Sequence, residues 1–125
     1  MRKKIAPYPS SEIQELFDAI HQIQSKEEAV YFFRDLLTIA ELTEFANRWQ
    51  IVKRLVANIP YETIAKELKV STTTVSRVAH WLHDGMGGYR ALAFRLFDTR
   101  KNPDYHEPPR FKGGKLAGLR NPHSL

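Results

Sequence analysis

The sequence predicts an all-α protein of six helices followed by a C-terminal tail. Apolar residues recur every three or four positions through the first 98 residues, which is the period of an amphipathic helix, and strand-like alternation is missing. Serine, threonine or proline stands where most of these helices would begin. The length of 125 residues and the hydrophobic content of 42% are those of one globular domain with tails.

Three helices are predicted in the N-terminal half, each beginning at a capping box, in which the N-cap and the third helical residue cap each other. The boxes are Ser11 to Gln14, Ser25 to Glu28, and Thr38 to Glu41. Each box precedes an apolar stripe with helical spacing. The stripes are Ile13, Leu16, Phe17, Ile20 and Ile23; then Ala29, Val30, Phe32, Phe33, Leu36 and Leu37; then Leu42, Phe45, Ala46, Trp49, Val52, Leu55 and Val56.

The next stretch, IPYETIAKELKVSTTTVSRVAHWL, has the form of a helix-turn-helix and covers about residues 60–83. Pro60 starts a short helix over Tyr61 to Leu68, since the first turn needs no donor from that residue. A second helix runs from about Thr72 to His83 and ends at Asp84-Gly85. A sixth spans about Gly88 to Phe97. The positions that the motif must bury are Ile64, Ala65, Leu68, Val70, Val75 and Val78, of which the small Ala65 permits a close helix crossing.

The second helix of the motif carries short polar side chains suited to base edges and phosphates. Ser71 is placed to cap it, and Lys69 occupies a turn position that often needs a positive φ. Four β-branched residues in succession, 72–75, are poor helix formers, which favours a functional surface. The candidate DNA-binding residues are Lys69, Ser71, Thr72, Thr73, Thr74, Ser76 and Arg77. The alternative is a plain helical hairpin with solvated threonines.

Charge divides the chain into a helical domain, 1–98, and a Pro/Gly-rich basic tail, 99–125. The tail holds most of the net charge of +5, because its six basic residues face only Asp104 and Glu107. We expect it to be mobile in isolation, since it has few aliphatic side chains to bury. A basic tail suits a polyanion such as DNA, although a solubilising role needs no partner.

The aromatic content of the first three helices predicts a homodimer. A six-helix monomer would leave a large apolar patch exposed, and monomers rarely tolerate one. A twofold dimer would also place two recognition helices about 34 Å apart, in successive major grooves. The residues concerned are Phe17, Tyr31, Phe32, Phe33, Phe45 and Trp49.

Several classes of function are disfavoured. The chain has no cysteine, and His80 and His83 have no ligand partner at metal spacing, so we expect no metal site. The Gly-rich run at 85–88 lacks the features of a phosphate loop, and no nucleophile–base pair stands out, so we expect no catalysis. Neither a membrane span nor a secretory signal is found, which makes the cytoplasm the expected location.

Residues from about 31 to 97 resemble the tryptophan repressor superfamily, and more closely its YerC/YecD-type branch. The segments FFRDLLTIAEL, NRWQIVKRLV and AKELKVSTTTVSRV carry the resemblance. It implies an intertwined all-helical homodimer that presents a helix-turn-helix to operator DNA. Thr72, Thr73 and Ser76 then fall at positions that contact bases. Glu62 replaces a DNA-contacting arginine of the family, so we expect a different target sequence.

The resemblance also places Thr38, Arg48 and Arg77 around a tryptophan corepressor. Two departures argue against that ligand. Val78 stands where the family needs glycine beside the indole, and Trp81 replaces a small polar residue, so that its own indole could fill the cavity. We therefore expect no cofactor and no tryptophan binding.

The sequence thus favours a sequence-specific DNA-binding transcriptional regulator. We expect it to be a repressor that recognises a pseudo-palindromic operator in double-stranded DNA as a homodimer. Two alternatives stay open. The same fold could serve protein interaction without operator recognition, which the nearly neutral body and Glu62 favour. It could also bind RNA, because Tyr105 and Phe111 of the basic tail can stack on bases.

Overall fold

The computed structural model describes residues 7–97, which form six α-helices, and the all-α prediction is confirmed for that part of the chain. The basic tail and the residues before position 7 lie outside the described residues. The helices are α1 (Ser11–His21), α2 (Lys26–Leu36), α3 (Ile39–Val56), α4 (Tyr61–Leu68), α5 (Thr72–Asp84) and α6 (Gly88–Leu96). None of the described helices is both long enough and apolar enough to cross a membrane.

The helix caps explain where the first three helices begin. The Thr38–Glu41 capping box is present in full: each side chain accepts a hydrogen bond from the backbone N–H of the other residue, at 3.1 and 3.0 Å. Ser25 accepts from the backbone N–H of Glu28 at 3.0 Å. The predicted box at Ser11 is wrong by one residue, because Ser10 has the extended backbone of an N-cap and accepts from Ile13.

The hydrophobic core lies beneath the helix-turn-helix. Its fully buried side chains come from the second half of α3 and from α4, α5 and α6. Ala65 is 8% exposed and belongs to this core, as a small residue at a close helix crossing should. The core residues are Ile51, Val52, Ile64, Ala65, Val75, Val78, Leu82 and Ala93, with Leu68 and Val70 packed against them.

The first two helices have no buried residue, although both are amphipathic. Phe17 is 44% exposed, Tyr31 63% and Phe45 48%, as the predicted apolar patch requires. The other three aromatic residues of that patch are half-buried. Phe32 and Phe33 pack edge to face, with ring centroids 5.5 Å apart. Trp49 packs against the ring of Phe97 at 5.5 Å. Three of the six predicted aromatic residues are therefore exposed, and Val30, Leu36 and Ile39 add to the exposed apolar surface of α2 and α3.

Candidate nucleic-acid interface

The turn between α4 and α5 fixes the direction of the second helix. Lys69 ends α4 in the left-handed conformation, with φ 56° and ψ 44°, as its position in the motif predicted. The N–H of Val70 then donates to the carbonyl of Ala65 at 3.0 Å, which closes the helix end. Lysine adopts this conformation at a cost of about 1 kcal/mol. The closed turn holds α5 across α4 at a defined angle.

The α5 helix has a buried and an exposed side. Val75, Val78, Ala79 and Leu82 are buried in the core. The opposite side exposes a row of polar residues that we call the α5 outer face, composed of Thr72, Thr73, Ser76, Arg77 and His80. This arrangement leaves the predicted contact residues on this face accessible to a large ligand, and it adds His80, which is not among the residues predicted to contact DNA.

Two of the predicted DNA-binding residues form the cap of α5. The Ser71 hydroxyl accepts from the backbone N–H of Thr74 at 3.0 Å and lies 2.9 Å from the Thr74 hydroxyl. Thr74 is half-buried. Both hydroxyls are thus engaged in the start of the helix. Lys69 is exposed in the preceding turn, beside the cap.

An ion pair that sequence reasoning missed joins α3 to α4. Arg54 Nε lies 2.9 Å from a carboxylate oxygen of Glu67, and Arg54 Nη1 donates to the Gln50 side chain at 2.7 Å. The Arg54 side chain is only 26% exposed, so this pair is less screened than a surface contact. The contact fixes the last turn of α4 to the last turns of α3.

Acidic residues limit where phosphate can approach the motif. A cleft of about 650 Å³ separates α4 from the start of α5, and Glu62, Lys66 and Thr72 are among its lining residues. Glu62 is exposed, and a carboxylate repels phosphate and can accept from a cytosine amino group. The helix-turn-helix is therefore not uniformly basic: α4 exposes the carboxylate of Glu62, whereas the first turn of α5 has no acidic residue.

The histidines of α5 do not form part of a metal site in the part of the chain that the structure describes. His80 Nδ1 lies 3.6 Å from a carboxylate oxygen of Asp84, one turn further along the same helix. Across residues 7–97, His, Asp and Glu side chains do not come together in threes as metal ligands would.

The residues placed around a tryptophan by the sequence resemblance have other contacts. The Thr38 hydroxyl caps α3, and Arg48 is paired with Glu44 at 2.8 Å and lies over the Phe45 ring. Val78 is 1% exposed within the core. Its side chain already fills the space on this side of α5, so the residues present do not fit an indole beside it.

Trp81 lines an apolar cavity of about 1060 Å³ next to the core, together with Trp49, Tyr89 and Phe33. Burial raises the pKa of the Tyr89 hydroxyl above its ordinary value, and the nearby charge of Arg48 opposes that shift. We call this space the aromatic cavity.

We predict that the protein does not bind tryptophan at micromolar concentrations, because Val78 blocks the space for its indole ring. Titration of L-tryptophan in an isothermal calorimeter should give only heats of dilution. The Val78→Gly variant is the matched comparison, since it removes the obstructing isopropyl group. Saturable heat from the unmodified protein would contradict the prediction.

Comparisons with known proteins converge on one family. A sequence model of the family described as Trp repressor protein matches residues 11–96, which run from the first residue of α1 to the last of α6. The uncharacterized protein YerC of Bacillus subtilis (strain 168) is 34% identical over 88 residues, which cover 70% of this chain and 85% of YerC.

Two solved structures are similar over the same share of the chain. A TrpR-like protein from Eubacterium eligens ATCC 27750 is 34% identical, with a TM-score of 0.66, and the match covers 70% of this chain and 91% of that one. A candidate Trp repressor from Staphylococcus aureus is 36% identical, with a TM-score of 0.65, over 70% of this chain and 87% of that one.

Proposed function

Because the chain belongs to the Trp repressor protein family, we propose that it is a transcriptional regulator that binds double-stranded DNA through α4 and α5. The observation that carries this proposal is the α5 outer face. Thr72, Thr73, Ser76 and Arg77 are exposed together on one side of a helix whose other side is buried in the core. Short polar groups and a guanidinium on such a helix suit base edges and phosphates in a major groove.

The start of α5 also favours an anionic partner such as a nucleic acid. Its first turn has no acidic residue, so the partial positive charge of the helix N-terminus is not neutralised there. Lys69 adds a charge in the adjoining turn. Phosphates on either side of a groove would meet this charge while the α5 outer face contacts the bases.

The protein acts, in this proposal, as a homodimer. Helices α1 and α2 contribute no buried residue within one chain, yet Phe17 and Tyr31 expose much of their rings. A second copy would cover these apolar surfaces. It would also supply a second α5, so that two successive major grooves of a pseudo-palindromic operator are contacted from one face of the duplex. We propose that it acts as a repressor, by occupying a promoter in place of the transcription machinery.

Selection of duplexes from a random library by the purified full-length protein tests this function. Substitution of Arg77 gives a quantitative check, because each phosphate neutralised contributes about 0.9 to the slope of log affinity against log salt concentration. We predict that Arg77→Ala weakens binding to the selected duplex by about tenfold or more and lowers the slope by about 0.9 per subunit. Arg77→Lys, which keeps the charge, should retain the slope.

The same selection distinguishes operator recognition from the two alternatives, protein interaction and RNA binding. A protein that enriches no shared sequence, with an Arg77→Ala variant that binds DNA as the unmodified protein does, would contradict operator recognition and favour protein interaction. Tighter binding to single-stranded RNA than to any duplex would favour the RNA-binding alternative, which depends on Tyr105 and Phe111 outside the described residues.

A further inference from the structure

The α5 outer face is unusual in the kind of side chain it offers to bases. Thr72, Thr73 and Ser76 are all short and carry one hydroxyl each. The side chains that distinguish guanine or adenine by two hydrogen bonds are arginine, lysine, asparagine and glutamine. Among the exposed residues in the first two turns of α5, only Arg77 belongs to that group.

A hydroxyl discriminates poorly among bases, because it can either donate or accept a hydrogen bond. A threonine methyl group discriminates better, since thymine is the base that presents a methyl group in the major groove. Thr72 and Thr73 are adjacent on the helix and therefore point about 100° apart, toward different parts of the groove. Each is β-branched, which restricts the directions in which its methyl group can point.

Thr72 and Thr73 differ from the neighbouring Thr74 in that their hydroxyls take no part in the cap of α5. The Thr74 hydroxyl is bonded to Ser71, whereas the structure gives no hydrogen bond within residues 7–97 to the hydroxyls of Thr72 and Thr73. The cap holds the first turn in place, and the exposed pair remains available for contact. We propose that this pair recognises thymine methyl groups, so that the operator half-site is defined mainly by thymines at fixed positions. This inference rests on the proposed DNA-binding function.

The test uses two random duplex libraries. The first contains thymine, and the second contains uracil in place of every thymine. Uracil lacks the methyl group and keeps the same hydrogen-bonding groups. The purified full-length protein should enrich a thymine-containing sequence from the first library. Its affinity for that duplex should fall about fourfold for each contacted thymine that is replaced by uracil, as expected for loss of one buried methyl group.

Two substitutions of Thr73 distinguish the contribution of its methyl group to thymine preference from that of its hydroxyl. Thr73→Ser removes the methyl group, and it should reduce the thymine-to-uracil ratio of affinities by about fourfold at the position it contacts. Thr73→Val keeps a methyl group and removes the hydroxyl, and it should retain that ratio. Equal thermal midpoints of the variants would exclude a folding effect.

The outcomes distinguish this inference from the proposed function. Enrichment of the same sequence from both libraries, with equal affinities, would overturn thymine recognition and leave operator binding in place. A Thr73→Ser variant that keeps the full thymine preference, with Thr72→Ser also unchanged, would overturn the assignment to these residues. Failure to enrich any sequence from either library would overturn the proposed function itself.

Discussion

Replacing Thr73 by aspartate is expected to weaken binding of the full-length protein to its selected duplex by at least about 100-fold. Thr73 is exposed in the first turn of α5, where a carboxylate would approach the phosphates and the electronegative groove. Like charges opposed in an interface cost several kcal/mol, and each 1.4 kcal/mol is a tenfold change in affinity. Electrophoretic mobility or fluorescence anisotropy at fixed salt concentration would measure the loss.

The same substitution should not harm the fold. An aspartate in the first turn of a helix interacts favourably with the helix N-terminus, and the thermal midpoint should stay constant or rise. Thr73→Asn is the matched control, because it has the shape of aspartate without the charge and should lose far less affinity. DNA binding by Thr73→Asp at the strength of the unmodified protein would show that α5 does not enter the groove.

Replacing Phe17 by lysine is expected to raise the dissociation constant of the proposed homodimer by about 1,000-fold or more. Phe17 lies on the apolar stripe of α1 and is 44% exposed in a single chain. Because less than half of its ring is exposed, burial of the remainder by a second copy contributes about 1 kcal/mol, and a symmetric dimer loses two such contacts. That loss of about 2 kcal/mol is about a 30-fold change, and the cost of burying two unpaired ammonium groups brings the total to about 1,000-fold or more.

The adjacent substitution Asp18→Lys is the control for Phe17→Lys. It installs the same side chain one residue further along α1, at an exposed position on the polar side of the helix. Sedimentation over a range of concentrations should show the Asp18→Lys variant as a dimer and the Phe17→Lys variant as a single 14.5 kDa subunit. An unmodified protein that sediments as one subunit at all concentrations would contradict the dimer.

Local signals predicted the helices and the turn well. The Thr38–Glu41 capping box, the Ser71 cap and the left-handed Lys69 each depend on residues within a few positions of one another, and all three are present. The start of α1 differs by one residue because Ser10 and Ser11 are both able to cap it. The backbone of Ser10, which follows Pro9, has the extended conformation that a cap needs.

Contacts between helices were beyond what the sequence could specify. The Arg54–Glu67 ion pair joins residues 13 positions apart on different helices, and spacing rules relate charges only within one helix. Thr74 is predicted to bind DNA, and its hydroxyl also lies 2.9 Å from the Ser71 hydroxyl in the cap of α5. The sequence does not distinguish these two uses of a hydroxyl. Trp49 packs on Phe97, near the end of the described chain, a contact that helical periodicity does not predict.

Helix α3 runs without a break from the exposed apolar surface of the N-terminal helices to the core beneath the helix-turn-helix. Its first half exposes Ile39 and Phe45, and its second half buries Ile51 and ends near the Arg54 contact to α4. A continuous helix of 18 residues is about 27 Å long and has no hinge. In the proposed homodimer, an unbroken α3 in each copy would hold the two α5 helices at one separation. One base pair inserted between the half-sites would rotate the second half-site by roughly 35° about the duplex axis. A dimer with one fixed separation would then no longer match both half-sites.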